Sequence, residues 1–311
     1  MTKEKLHTVS KASVGSDLKS LLRNAPWWIL IGAAICSNLF STVRGSVAAY
    51  FFNDVIGQNV NLNLGPFSFL FYAGLFLSIG EVSNMVGVAL AVPFSEKFGK
   101  KSTYMLSFAA LILFSALFFY IPISQGGYFW MLILQVVISI FTGVISPLVW
   151  SMYADVSDFA ENRDGTASTG LIFSSASMAQ KFGGAFGGFA VMWLLKAFGY
   201  NTSPGAVQTP EAINGLWLLM SWIPAAVAGI AVIVIFFYPL TRSRMCDIQD
   251  ALAVKRENDM TARPDTQETE ESSSNLWKGL PKVMRWVLVI LAVILALELM
   301  FVFYTSTCFL R

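Results

Sequence analysis

Charged side chains inside long apolar runs are the residues of this chain whose positions imply chemistry. Lys181 is the only charged residue in the run from Thr166 to Leu195. Such a run is long enough to cross a bilayer at about 1.5 Å per residue. An ammonium at that depth is costly in lipid, so it faces a bundle interior or a wet cavity. Lys181 is therefore a functional-site candidate, with a purely structural ion pair as the alternative.

Two further charges, Arg44 and Glu81, also lie inside apolar runs. Opposite charges at similar depth can neutralise each other, so a Glu81–Lys181 pair is one hypothesis; a shifted span with Glu81 at the interface is the other. For Arg44 we expect an interhelical hydrogen-bond donor. Ser174, Ser177 and Lys181 share one helical face. Hydroxyls beside a cation suit a polyol, or they bond backbone carbonyls one turn back.

The composition indicates an integral membrane protein. The chain is 55% hydrophobic and only 13% charged, against about 25% charged in soluble domains. Its one histidine, His7, lies in a polar segment, and its three cysteines are scattered. Neither a metal cluster nor a nucleophile–base pair is indicated, so we expect no enzyme, no metal site, no cofactor and no nucleic-acid partner.

Hydropathy predicts an all-α, polytopic helical bundle with four regions. Residues 1–25 form a basic N-terminal segment, 26–240 a six-helix domain, 241–275 a polar, acidic linker of disordered composition, and 276–311 an additional transmembrane helix. The predicted spans are 27–51, 67–92, 103–123, 128–152, 166–195, 216–238 and, in the last region, 286–309. The glycines that follow Lys181, with the spacing Gly183-x-x-x-Gly187, favour close helix packing.

The Lys and Arg distribution predicts the orientation. Basic residues lie before span one and after spans two, four and six, whereas loops 53–66, 122–127 and 200–215 contain none. The positive-inside rule then places the N-terminus and the linker in the cytoplasm of a multi-pass protein of the cell (inner) membrane.

An acidic corner follows span four. Asp155, Asp158 and Glu161 are three residues apart, so they share one side if the helix continues. A solvated helix end is one interpretation. A cytoplasmic gate is the other, in which carboxylates and loop lysines pair in one conformation and separate in another; its members would be Asp155, Asp158, Glu161, Glu96, Lys97, Lys100 and Lys101.

Three segments carry a family resemblance over residues 18–255. They are ADVSDFAE from Ala154, KFGGAFGG from Lys181, and PFSEKFGKK from Pro93. They resemble helices seven to twelve of the glycoside–pentoside–hexuronide:cation symporters (melibiose permease-like) of the major facilitator superfamily. Val43-Arg44-Gly45 is similar to part of the seventh helix. Phe159 and Ala160 replace the family's Tyr and Gly.

The resemblance implies a fold and a site. The fold is a six-helix half of a major facilitator, made of two inverted three-helix units. The site residues would be Lys181, Ser177 one turn before it, and Trp150, all near a sugar. Transport would be coupled to Na⁺ or H⁺. The family carries the carboxylates responsible for this coupling in its first half.

Two functions follow as hypotheses. One is a half-carrier for a sugar or glycoside in the lipid bilayer, which needs an N-terminal half-carrier or a second copy as its partner. The other is a truncated membrane protein or adaptor without transport, favoured by the additional helix and the acidic linker.

Overall fold

The chain folds as a bundle of long apolar helices. The structure is a computed structural model that describes residues 18, 20–57, 60–64, 67–165, 169–203 and 205–261. The helices are α1 (Ala25–Phe51), α2 (Ala73–Phe98), α3 (Lys100–Phe118), α4 (Gln125–Asp164), α5 (Thr169–Ala197), α6 (Pro210–Met220), α7 (Trp222–Phe236) and α8 (Arg242–Thr261). A π-helical turn, Phe52–Ile56, extends α1. The predicted all-α membrane bundle is confirmed.

Five segments of the described chain are long and apolar enough to cross a membrane. They are α1 with its π-helical turn, α2, α3, α4, and α6 together with α7. The fifth predicted span, 166–195, forms the 29-residue helix α5. It falls outside those five because Gln180, Lys181 and its small residues lower its mean hydropathy.

The second predicted span begins too early. Residues 67–71 form strand β2 (Phe67–Phe71), which pairs antiparallel with β1 (Val60–Leu64), and α2 begins only at Ala73. Asparagine and leucine alternate along β1, a period of two that suits a strand better than a helix. Ser68 and Leu70 are exposed while Phe71 is buried. The hairpin connects the end of α1 to the start of α2. The end of the bundle where it lies is called the hairpin end.

The sixth predicted span, 216–238, is broken. Its helix stops at Met220 and resumes at Trp222, with Ser221 at φ −126° and ψ −82° between them. Pro224 explains the break, because proline has no backbone N–H and its ring clashes with the carbonyl four residues earlier. The carbonyl that loses its helical donor is that of Met220.

The predicted disorder of the linker is wrong for its first part. Arg242–Thr261 is the helix α8, and its buried side chains Met245, Ile248 and Leu252 lie on one helical face. With that spacing, a largely polar segment buries a narrow apolar stripe against the bundle. The average composition of the segment does not reveal such a stripe. The rest of the linker, the additional helix at 276–311 and most of segment 1–25 lie outside the described residues.

Glycines bring four helices together in two pairs. In α5, a Cβ at Gly183 would lie 2.7 Å from the Ile35 carbonyl oxygen of α1. In α2, a Cβ at Gly87 would lie 2.0 Å from the Ile140 carbonyl oxygen of α4. The third helices, α3 and α7, also pack on each other. Pairing the first helix of each three-helix unit with the second helix of the other is what an inverted repeat produces.

Two apolar clusters fill the interior. Phe40 and Ile138 belong to the cluster near the lysine-rich end of the bundle, the basic end. Val43 and Leu132 belong to the cluster near the hairpin end. The clusters meet where α1 and α4 carry Arg44 and Gln135, so the core changes from apolar to polar at that level.

Candidate functional site

Arg44 replaces the hydrogen bond that Pro224 removes. Its Nη1 donates to the Met220 carbonyl oxygen at 2.6 Å. The side chain is buried, with the Phe118 ring centroid 5.4 Å away. A cation at the carbonyl end of α6 is also favoured by the helix dipole. The expected role of Arg44 as an interhelical donor is therefore confirmed by its contacts.

Gln135 of α4 is the second acceptor for Arg44. Arg44 Nη2 donates to Gln135 Oε1 at 2.9 Å, and Gln135 is itself buried. Across the described residues, Arg44 pairs with no carboxylate. Two neutral acceptors and an aromatic ring thus surround this cation, and no carboxylate of a described residue lies within ion-pair distance of it.

A polar cavity opens beside this pair. It has a volume of about 170 Å³ and lies between α1, α2, α4 and the end of α6. Besides Phe40, Phe76 and other apolar groups, its walls carry many hydrogen-bonding side chains. These polar residues are Ser41, Arg44, Glu81, Asn84, Gln135, Ser139 and Thr142. Such a mixture of apolar surface and a few convergent polar groups is typical of small-molecule sites.

The structure does not bring Glu81 and Lys181 together. The ion pairs of the described residues are Lys100–Asp155 and Arg163–Asp164. Glu81 lies on α2, which packs on α4, whereas Lys181 lies on α5, which packs on α1. The hypothesis of a Glu81–Lys181 pair is therefore wrong for this structure.

Both charges are instead exposed along their helices. Neither Glu81 nor Lys181 makes a side-chain hydrogen bond to any other described residue. Because each occupies the middle of an apolar helix, exposure there means a wet cavity or a covering protein surface rather than lipid.

The other predicted sugar contacts fall in two environments. Ser177 is exposed near Lys181, and its hydroxyl donates to the Phe173 carbonyl oxygen at 3.1 Å. Trp150 is partly buried and stacks on Phe173, with ring centroids 6.0 Å apart. Trp150 therefore borders the α4–α5 contact and does not line the polar cavity, while Ser177 and Lys181 share the exposed face of α5.

At the basic end, one pair of the predicted gate is formed. Lys100 Nζ lies 2.7 and 2.8 Å from the two carboxylate oxygens of Asp155. Lys101 donates to the carbonyl oxygens of Phe236 and Tyr238, where α7 ends. Helix α4 continues through Asp164, so the acidic corner is helical.

The remaining gate residues do not join that pair. Glu96 and Lys97 are exposed, and the Glu96 backbone carbonyl accepts a hydrogen bond from Arg242 of α8. Asp158 and Glu161 lie further along the same helix and are half-buried. Among the predicted members, the structure thus joins α3 to α4 through Lys100 and Asp155.

Sequence reasoning missed most of the cavity. Gln135 had a usable signal, since an amide in an apolar run is costly unless it is hydrogen-bonded. Pro224 had another, because it identifies Met220 as a carbonyl in need of a donor. Asn84, Ser139 and Thr142 carried no signal, since short polar side chains in helices often bond their own backbone.

Together the fold and site define a multi-pass membrane bundle with a polar cavity between its helices, the architecture of a membrane transporter. Residues 1–242 match the family model described as MFS/sugar transport protein. The chain belongs to this family, which confirms the resemblance; the proteins of this family are transporters and not enzymes.

Curated relatives extend the comparison. The chain is 28% identical over 244 residues to the glucuronide carrier protein homolog of Escherichia coli strain K12, covering 77% of this chain and 50% of that protein. It is 28% identical over 254 residues to the putative glycoside/cation symporter YagG of the same strain, at 82% and 52% coverage. The isoprimeverose transporter of Lactiplantibacillus pentosus is 26% identical over 250 residues, at 78% and 48%. The chain thus spans about half the length of these relatives.

Proposed function

We propose that the six-helix domain forms one wall of a transport pathway for a sugar or glycoside, coupled to Na⁺ or H⁺. The observation that carries this proposal is the exposure of Glu81 and Lys181 in the middle of apolar helices. Charges at such positions are tolerated where they line a water-filled path. The relatives' names, which include a glucuronide carrier and an isoprimeverose transporter, support carbohydrate as the substrate class.

The pathway has two polar elements. The cavity between α1, α2 and α4 offers Arg44, Glu81 and Gln135, and the exposed face of α5 offers Lys181 and Ser177. Sugars present many hydroxyls, each both donor and acceptor, so they match side chains of both kinds. Lys181 and Ser177 remain the proposed contacts on α5, and Trp150 supports them through its packing on that helix.

A facing bundle completes the pathway. A charge exposed at mid-membrane needs protein or water opposite it, and a second six-helix half provides both when two halves rock about a central site. The partner is an N-terminal half-carrier or a second copy. In the predicted orientation, Lys100–Asp155 lies on the cytoplasmic side, where it acts as one latch of the closed state.

Uptake measurements test the function. The chain is produced in an Escherichia coli membrane alone and with the N-terminal half of YagG, and accumulation of radiolabelled methyl glycosides is followed. We expect uptake with a partner present, and its loss in Lys181→Met. Lys196→Met, which changes an exposed lysine at the end of the same helix, is the matched control. Absence of uptake in every combination would favour the adaptor alternative and overturn the proposal.

Labelling tests the orientation. Cys246 is exposed on α8 near the basic end. In a Cys308→Ser background, a membrane-impermeant maleimide should therefore react with it in inside-out vesicles and not in right-side-out vesicles. The reverse pattern would place the N-terminus on the outer side and contradict the predicted topology.

A further inference from the structure

We propose that Gln135 is a substrate-binding residue whose amide donates to a sugar hydroxyl, that Arg44 fixes the amide in this orientation, and that Glu81 accepts from the neighbouring hydroxyl. The ligand class is a pair of adjacent hydroxyls on an uncharged sugar ring. The inference rests on the proposed function and deepens it, since it assigns part of the polar cavity to a definite chemical group.

The orientation of the Gln135 amide follows from its partner. A side-chain amide has one accepting oxygen and one donating nitrogen, and coordinates alone rarely distinguish the two. A guanidinium can only donate. Because Arg44 Nη2 lies 2.9 Å from the Gln135 oxygen, that atom must be the acceptor and the NH₂ group must point elsewhere. Arg44 is thus a positioning residue for a donor.

Gly80 shows where the NH₂ group points. A Cβ added at Gly80 would lie 2.6 Å from Gln135 Nε2 and 3.1 Å from Ser139 Oγ. Gly80, Gln135 and Ser139 all line the cavity. The missing side chain at Gly80 leaves room for the amide nitrogen, and because both residues line the cavity, the donor lies at the cavity wall.

Glu81 supplies the complementary acceptor. It lines the same cavity, is exposed, and accepts no hydrogen bond from any other described residue. A carboxylate can accept from several hydroxyls, and a buried amide can donate to one. Adjacent ring hydroxyls, one accepting from Gln135 and one donating to Glu81, satisfy both groups. An acidic substituent at this place would meet the Glu81 charge and be disfavoured.

Gln135→Glu separates binding from structure. The new carboxylate still accepts from Arg44 and gains an ion pair, but it has lost the donor. We expect the melting temperature to be unchanged or higher, and KM for the best-transported methyl glycoside to rise about tenfold or more, as expected for one lost hydrogen bond to a ligand. A merely structural Gln135 would leave KM unchanged when stability is retained.

Gly80→Ala is the second variant. Its Cβ displaces the amide nitrogen without changing any polar group, so it should raise KM in the same direction. Gly229→Ala on α7, where an added Cβ meets nothing within 4 Å, is the matched control and should behave as wild type. If Gln135→Glu fails to fold, Gly80→Ala decides the question by the same KM criterion.

Deoxy analogues locate the hydroxyl. Methyl glycosides that lack one ring hydroxyl at a time are compared in wild type and Gln135→Glu. In wild type, one of these analogues should bind about tenfold more weakly than the parent glycoside. In Gln135→Glu, that analogue and the parent glycoside should bind equally well. An unchanged KM in Gln135→Glu, or a uniform loss for every analogue, would overturn this inference while leaving transport intact. Absence of wild-type uptake and binding would overturn the proposed function as well.

Discussion

The two glycine-based helix pairs differ in how closely their helices approach. Between α2 and α4, added Cβ atoms at Gly87 and Gly143 would meet backbone carbonyl oxygens at 2.0 and 2.1 Å. Between α5 and α1, a Cβ at Gly183 would meet the Ile35 carbonyl oxygen at 2.7 Å, and one at Gly187 would meet Thr42 Cβ at 2.8 Å. An added methyl group therefore requires a larger helix displacement between α2 and α4 than between α5 and α1.

This difference separates the two polar elements. The cavity with Gln135 and Glu81 is built on the close α2–α4 pair, and the exposed Lys181 lies on the looser α1–α5 pair. A Trp27 Nε1 bond to Ser175 Oγ at 2.8 Å ties the latter pair near its basic end. We infer that the cavity is the rigid part of the site and that α5 is the part able to adjust.

The largest effect is expected from Gly143→Ala. Its Cβ would lie 2.1 Å from the Asn84 carbonyl oxygen, so α2 and α4 must separate. Overpacking of this kind costs about 1–3 kcal/mol and occasionally more, and we expect the upper end. Fluorescence-detected size exclusion after a heating series measures the loss. A melting temperature equal to that of Gly229→Ala would show that the α2–α4 contact is not close.

Arg44→Met is expected to rank next. It leaves the Met220 carbonyl and the Gln135 oxygen without their donor, and unsatisfied buried groups cost about 1–3 kcal/mol each. The same heating series applies.

Pro224→Ala in the Arg44→Met background sharpens this test. Alanine restores a backbone N–H four residues after Met220, so the helix can bond its own carbonyl. We expect the double variant to recover part of the lost stability, while Pro224→Ala alone changes little. Strictly additive effects would contradict the assignment of Arg44 as the replacement for the bond that Pro224 removes.

Gly183→Ala is expected to cost less than Gly143→Ala, about 1 kcal/mol. Its Cβ would lie 2.7 Å from the Ile35 carbonyl oxygen and 2.8 Å from Asn38 Cβ, so the two helices need to separate less than at Gly143, where the nearest oxygen lies at 2.1 Å. The informative result is the order of melting temperatures, Gly229→Ala above Gly183→Ala above Gly143→Ala. The reverse order for the last two would remove the distinction between a rigid and an adjustable pair.

The sequence predicted the elements better than the cavity. Apolar runs identify helices because burial in lipid depends on composition over many residues, and the Gly183–Gly187 spacing correctly indicated a close contact. Gln135, by contrast, acquires its role only when α1 brings Arg44 within 2.9 Å. The break at Ser221 and the helix α8 were missed because a single proline and a short apolar stripe are lost in a window average.

Lys181→Met is expected to have the smallest effect on stability and a large one on transport. The lysine is exposed and bonds no other described residue, so its replacement should shift the free energy of unfolding by less than about 0.5 kcal/mol. Gln135→Glu should likewise keep the fold, but it should raise KM. Lys181→Met changes the adjustable helix, so it should also lower kcat if α5 moves during transport. Steady-state uptake beside the heating series separates the two. A loss of stability in Lys181→Met comparable to that of Gly183→Ala would show that the lysine is a structural group, and that both charged elements belong to one rigid wall.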